Sequence, residues 1–84
     1  MLYVTVPSKE EAKKIARILV EQKLVSCVNF FPIESIYQWE GEIMEEQEQV
    51  LLIKTANDVV LVAEEIKKIH PYEIPCILEI KDTS

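Results

Sequence analysis

The sequence predicts an α+β sandwich, a four-stranded antiparallel sheet with two helices packed on one of its faces. Three observations predict it. Apolar residues recur with the period of a strand in four segments and with that of a helix in two. The segments follow the order β-α-β-β-α-β. The only glycine of the chain, Gly41, stands between the two middle strands, where the backbone has to fold back on itself.

In LYVTVP, Leu2, Val4 and Val6 alternate with Tyr3 and Thr5, the pattern of a half-buried strand, and Pro7 closes it. Ser8 and Glu11 form a capping box, after which Ala12, Ile15, Ala16 and Leu19 share one helical face, with the helix ending near Gln22 or Lys23. Residues 25–31 are β-branched and aromatic, Pro32 interrupts them, and residues 35–40 set Ile36 and Gln38 against Tyr37 and Trp39. One long strand with a kink at the proline is expected. After the Glu40-Gly41-Glu42 turn, its hairpin partner is polar through Gln49 and then apolar over Val50-Leu-Leu-Ile53, which suits a central strand. Thr55-Ala-Asn-Asp58 supplies caps for a second helix, with Val59, Val62, Ile66 and Ile69 on one face and Lys67 and Lys68 in its last turns. Pro71 biases His70 away from helical geometry and stops that helix. Residues 74–80 are expected as the last strand, with Ile74, Cys76, Leu78 and Ile80 on one side, and Pro75 places it at a sheet edge. Right-handed crossovers then give the ferredoxin-like split unit with strand order 4-1-3-2.

With 84 residues the chain is read as a single domain over 1–84. A chain of that size buries only roughly 60 to 65% of the surface its unfolded form exposes, so reinforcement is needed. Cys27 and Cys76 show no C-x-x-C spacing, and the topology sends them to opposite outer strands, which leaves no disulfide scaffold and no zinc cluster. Oligomerisation is the expected reinforcement. A net charge of −6 repels phosphate backbones and anionic membranes, which argues against nucleic acid as a partner. A single glycine excludes dinucleotide and Walker-type loops. The N-terminus carries no basic n-region, and no apolar run approaches ~18 residues, so a soluble, cytoplasmic protein with no membrane contact is expected. The second strand is long, poor in lysine and tipped by Tyr37 and Trp39, so another copy is expected to cover its edge.

Several stretches resemble one family in order and spacing: VPSKEEAKKIARILVEQKLVSCVNF, IYQWEGEI, LLIKT and HPYEIPCI are similar to the CutA divalent-cation tolerance proteins over essentially the whole chain. The HPYE turn and the Tyr-x-Trp-x-Gly hairpin carry most of the specificity. The resemblance implies the same fold, a homotrimer whose hairpins embrace neighbouring subunits, and a non-catalytic role in binding or responding to divalent metal ions, copper above all. A PII-like alternative makes the trimer a sensor with small-ligand pockets between subunits. Family members usually continue into a C-terminal helix, whereas this sequence stops at KDTS, so that helix is expected to be missing.

For the metal, the resemblance implies His70, and Cys27 matches a cysteine common in the family. The copper-binding relatives carry a cysteine at the position of Val4 and a second histidine at that of Ile69, so two donors are absent here, which argues against a copper site within one subunit and leaves one assembled from several, with His70 or Cys27 repeated by symmetry, as the alternative. Read from the residues alone, His70 satisfies the end of its helix and Cys27 packs as a small hydrophobe, or acts as a reactive thiol if Lys54 lies nearby. The resemblance also puts Lys54 near a subunit-boundary pocket with Tyr72 and the HPYE turn. There the lysine, the tyrosine hydroxyl and Glu73 would converge on a small anionic or zwitterionic ligand. Tyr37 and Trp39 belong to that pocket or to an interface. Cys76 reads as core, and Glu42, Glu45, Glu46 and Glu48 as a solvated face that attracts cations weakly. The lone arginine, Arg17, sits on a helix and cannot cradle a phosphate as acylphosphatases do, and no catalytic serine, histidine and carboxylate set is present, so no enzyme is expected.

Overall fold

The computed structural model describes residues 1–81. In chain order the elements are β1 (Leu2–Val6), α1 (Lys9–Glu21), β2 (Cys27–Trp39), β3 (Glu42–Lys54), α2 (Val59–Ile69) and β4 (Ile77–Glu79). The sheet runs β2-β3-β1-β4, the ferredoxin-like order, and every neighbouring pair is antiparallel. The expected loss of a C-terminal helix concerns positions that lie outside the described residues.

Each helix starts and stops for a local reason. Ser8 Oγ accepts the Glu11 backbone N–H at 3.2 Å and so occupies one of the free donors of the first turn of α1. At the other end Lys23 adopts φ 59°, its N–H donates to Val20 O, and the Leu24 N–H reaches back to Leu19 O. That is a Schellman ending with lysine where glycine is usual. Asp58 caps α2 by accepting the Val60 N–H at 2.9 Å, and His70 ends it in an extended conformation, ψ 138°. The proline that follows His70 accounts for that ψ.

The register of the sheet defines two faces. Leu2, Val4, Leu51 and Ile53 point toward the helices and join Ile15, Leu19, Val62 and Ile66 in one core cluster. The opposite, open face carries Tyr3, Thr5, Val50 and Leu52, since residues directly paired across strands share a face. The hairpin of β2 and β3 pairs without a bulge from Cys27↔Lys54 to Trp39↔Glu42, with Pro32 opposite Gln49 on the outer strand. Pro32 therefore leaves the pairing intact because β2 is an edge. Glu40 and Gly41 both have positive φ, 49° and 80°, as a two-residue type I′ turn requires.

Two expectations are corrected. The long outer strand begins at Cys27, and Val25 packs into the core ahead of it. The last strand shrinks from 74–80 to Ile77–Glu79, and its register turns the other way: Ile77 lies opposite Val4 and faces the core, whereas Leu78 lies opposite Tyr3 on the open face. Ile74 and Cys76 precede the strand and are exposed, so Cys76 is not a core residue. Alternation within the segment is real, but pairing with β1 decides which half of it points inward.

Replacing Lys23 with glycine removes the cost of a branched Cα at positive φ, and we expect Lys23→Gly to raise unfolding stability by about 0.5–1 kcal/mol. Urea unfolding should show a higher midpoint with an unchanged slope.

Candidate functional site

His70 is buried, and both of its ring nitrogens are engaged. Nε2 lies 2.7 Å from Thr5 O, and Nδ1 accepts the Tyr72 backbone N–H at 3.0 Å. A carbonyl can only accept and an N–H can only donate, so the proton sits on Nε2 and the ring is neutral. The strand β4 covers β1 only from Leu2 to Val4, and His70 supplies the donor one residue beyond it. The imidazole thus fixes the turn that follows α2. Its ring lies 5.0 Å from that of Tyr72, tilted by 46°.

Held this way, Tyr72 reaches under the open face of the sheet and donates its hydroxyl to Glu48 Oε2 at 3.0 Å. A cavity of about 760 Å³ opens beside this bond. Thr5, Met44, Glu46 and Glu48 of the sheet form its roof, Tyr37 and Trp39 of the hairpin one wall, and Tyr72, Glu73, Ile74 and Cys76 the other. Strand alternation aims the roof residues: Tyr37 pairs with Met44 and Trp39 with Glu42, on the face that also carries Glu46 and Glu48. Desolvation, the hydrogen bond to Glu48 and the nearby carboxylate charges push the Tyr72 phenol up to about 12. Tyr37 is raised as well, first through hydrogen bonding to the Glu46 carboxylate.

Of the residues singled out from sequence, Tyr37, Trp39, Tyr72 and Glu73 come together here, and His70 stands behind them as a support. Lys54 does not join them within one chain. It lies six residues beyond Glu48 along β3, roughly 20 Å away at the rise of a strand, directly opposite Cys27. Cys27 is exposed and free beside that lysine, and Cys76 is exposed and free at the cavity. Sequence reasoning missed Glu46 and Glu48 as lining residues and read them as a solvated face. The signal was their shared parity with Met44 along β3, which places them on the open side. Among the described residues no three histidine, cysteine or acidic side chains gather closely enough to hold a metal ion.

Fold and cavity define a ferredoxin-like module with a protruding hairpin and a ligand-sized hollow along the open face of that hairpin. The family model described as CutA1 divalent ion tolerance protein matches residues 1–84. The divalent-cation tolerance protein CutA of Archaeoglobus fulgidus is 45% identical over 80 residues, covering 94% of this chain and 78% of that protein. A solved structure of the A. fulgidus protein, described as periplasmic, superposes with a TM-score of 0.91 at 42% identity, covering 99% of this chain and 82% of that one. A PII-like protein CutA from Nostoc sp. PCC 7120, in apo form, gives 0.89 at 36% identity over 98% of this chain and 79% of its own. The chain belongs to the CutA family.

The raised Tyr72 phenol carries a pH prediction. The folded phenol keeps its proton beyond the ordinary value of 10.0, so its contribution to stability is complete below pH 10 and is lost as the pH rises through about 12. Phenolate absorbance should show a component titrating near 12 that disappears in Tyr72→Phe. Glu48→Gln should bring that component down toward 10.

Proposed function

We propose that the chain acts as a homotrimer in tolerance to divalent cations, as a binding module and not as an enzyme. Membership of the CutA family over the whole chain supports this reading. The observation that carries the assembly is the outer strand β2, thirteen residues long, with Trp39 61% and Ile36 71% exposed at its far half. An unpaired edge of that length with large apolar side chains beside it calls for a neighbour. Three copies in a closed ring would satisfy it.

Copper does not fit the residues of one chain. The lone pair of His70 Nδ1 is committed to Tyr72, Val4 and Ile69 stand where the copper-binding relatives have donors, and the described residues gather no ligand cluster. A copper site would be shared between copies, with the exposed Cys27 as its soft donor. The second reading, a PII-like sensor of a small ligand, is favoured by one observation, the cavity of about 760 Å³ between the open face of the hairpin and the turn that carries Tyr72. Two exposed free cysteines suit a reducing compartment such as the cytoplasm, although the A. fulgidus relative is described as periplasmic. No helix of the described residues is long and apolar enough to cross a membrane.

Sedimentation velocity on the 9.7 kDa chain should give a single species of three times that mass that persists at micromolar dilution. A compact monomer would overturn the assembly. Calorimetric titration of the trimer with copper should show saturable binding that Cys27→Ser abolishes and His70→Ala does not. Heats no larger than those of an acidic control protein would remove the metal reading.

A further inference from the structure

We propose that the helix-side face of the outer hairpin, with Ile36, Ile43, Glu34 and Glu45, seats in the basic groove between α1 and the inner half of β2 of the next copy. The inference rests on the homotrimer reading and names the two surfaces that meet in it.

The hairpin surface follows from strand parity. Phe30 lies opposite Leu51, a core residue beneath the helices, so Glu34 and Ile36 of β2 and Ile43 and Glu45 of β3 point to that same side. All four are exposed, Ile36 and Ile43 at 71% each. On the opposite side Met44 and Glu48 are half-buried beside Tyr72, so the helix side is the barer of the two. Ile36 pairs with Glu45 and Gln38 with Ile43, which makes the two isoleucines diagonal neighbours on one patch. Residues 34–48 hold six carboxylates and no lysine, arginine or histidine. A partner for this face has to be apolar and cationic together.

The groove has that character. Five of the nine lysines and arginines fall within residues 9–23 of a chain whose net charge is −6. Lys13, Lys14 and Arg17 line a hollow of about 630 Å³ whose apolar part is Ala16 and Phe30. A second hollow of about 360 Å³ adjoins it through Ala16 and Arg17 and extends to Val20, which is 45% exposed. Arg17 meets Glu21 only at 3.8 Å, with both side chains in water, so that pair leaves it available. The lysines of α2 are engaged differently, since Lys67 and Lys68 bond Glu64 and Glu65 at 3.2 and 3.0 Å.

Within one chain the two surfaces cannot meet. Ile36 lies six residues beyond Phe30 on the same unbroken strand, roughly 20 Å away. The contact therefore runs between copies and joins two different surfaces, the head-to-tail kind that closes into a ring. The groove also borders the outer edge of the sheet, which the assembly has to cover.

Charge reversal with rescue tests the pairing. Lys13→Glu/Arg17→Glu alters the groove, Glu34→Lys/Glu45→Lys alters the hairpin, and a third variant carries all four changes. Sedimentation velocity over a dilution series reads the concentration at which each assembly half-dissociates, and far-UV circular dichroism checks that each is folded. We expect each double variant to dissociate at a concentration roughly tenfold or more above the parent, and the fourfold variant to return to within about threefold of it. Ile36→Ser/Ile43→Ser should weaken assembly without being rescued by any charge change. Double variants that assemble as tightly as the parent would overturn the pairing and leave the trimer standing. Weakening in both with no recovery in the fourfold variant would also overturn it, because the two surfaces would then act at separate contacts. A parent that is a compact monomer would remove the assembly, and this inference with it.

Discussion

The unbroken pairing of β2 with β3 is the constraint on which the rest of the molecule depends. Both strands run for thirteen residues, while β1 pairs with only five positions of β3 and β4 with three of β1. A strand of that length extends for roughly 40 Å, comparable with the 39 Å long axis of the molecule. At the inner end of the hairpin Val50, Leu51 and Ile53 of β3 are buried while β2 is half-buried or exposed throughout, and the outer half projects as a two-stranded ribbon. Because no bulge interrupts the register, the side-chain parity set at Val4 and Leu51 in the core carries through to the tip. Tyr37, Met44, Glu46 and Glu48 are thereby aimed at one side of the ribbon by packing that lies far from them.

Most of the architecture could be read from the sequence because it is dictated locally. Ser8, Asp58, Pro71 and Gly41 each act within a turn of their own position, and each does in the structure what its chemistry requires. The apolar stripes of the two helices likewise needed no distant information. What escaped were features fixed by pairing. The alternation of Ile74, Cys76, Leu78 and Ile80 matches a strand facing the core, yet Leu2↔Glu79 and Val4↔Ile77 set the inward residues one place over. The acidic stretch of β3 looks solvated when read alone and becomes a cavity roof only once Tyr72 is folded beneath it. Lys54 and Tyr72 share a neighbourhood in the motif pattern, whereas the geometry of one chain holds them at different ends of a strand.

His70 illustrates how a single polar residue links the hydrophobic core to the pocket. Its imidazole is locked in one tautomer by a carbonyl on one side and an amide on the other. Breaking a buried pair of this kind leaves an unsatisfied group at a cost of ≈ 1–3 kcal/mol, so the residue holds its place firmly. Through the Tyr72 amide the ring sets where the phenol stands, and through the phenol it sets the orientation of Glu48. The helix end, the central strand and the cavity wall are therefore one hydrogen-bonded relay.

The tie between Met1 and Ile80 has a practical corollary. The Met1 ammonium donates to Ile80 O at 3.2 Å, and the Ile80 N–H donates to Met1 O at 2.7 Å. Leu2 stands opposite Ile53, at the end of β3 remote from the turn, so both positions emerge at the corner farthest from the ribbon tip. These two bonds carry the β1–β4 pairing one step beyond Leu2↔Glu79, so the short outer strand is held at that corner by two backbone bonds that must break together before it can peel away.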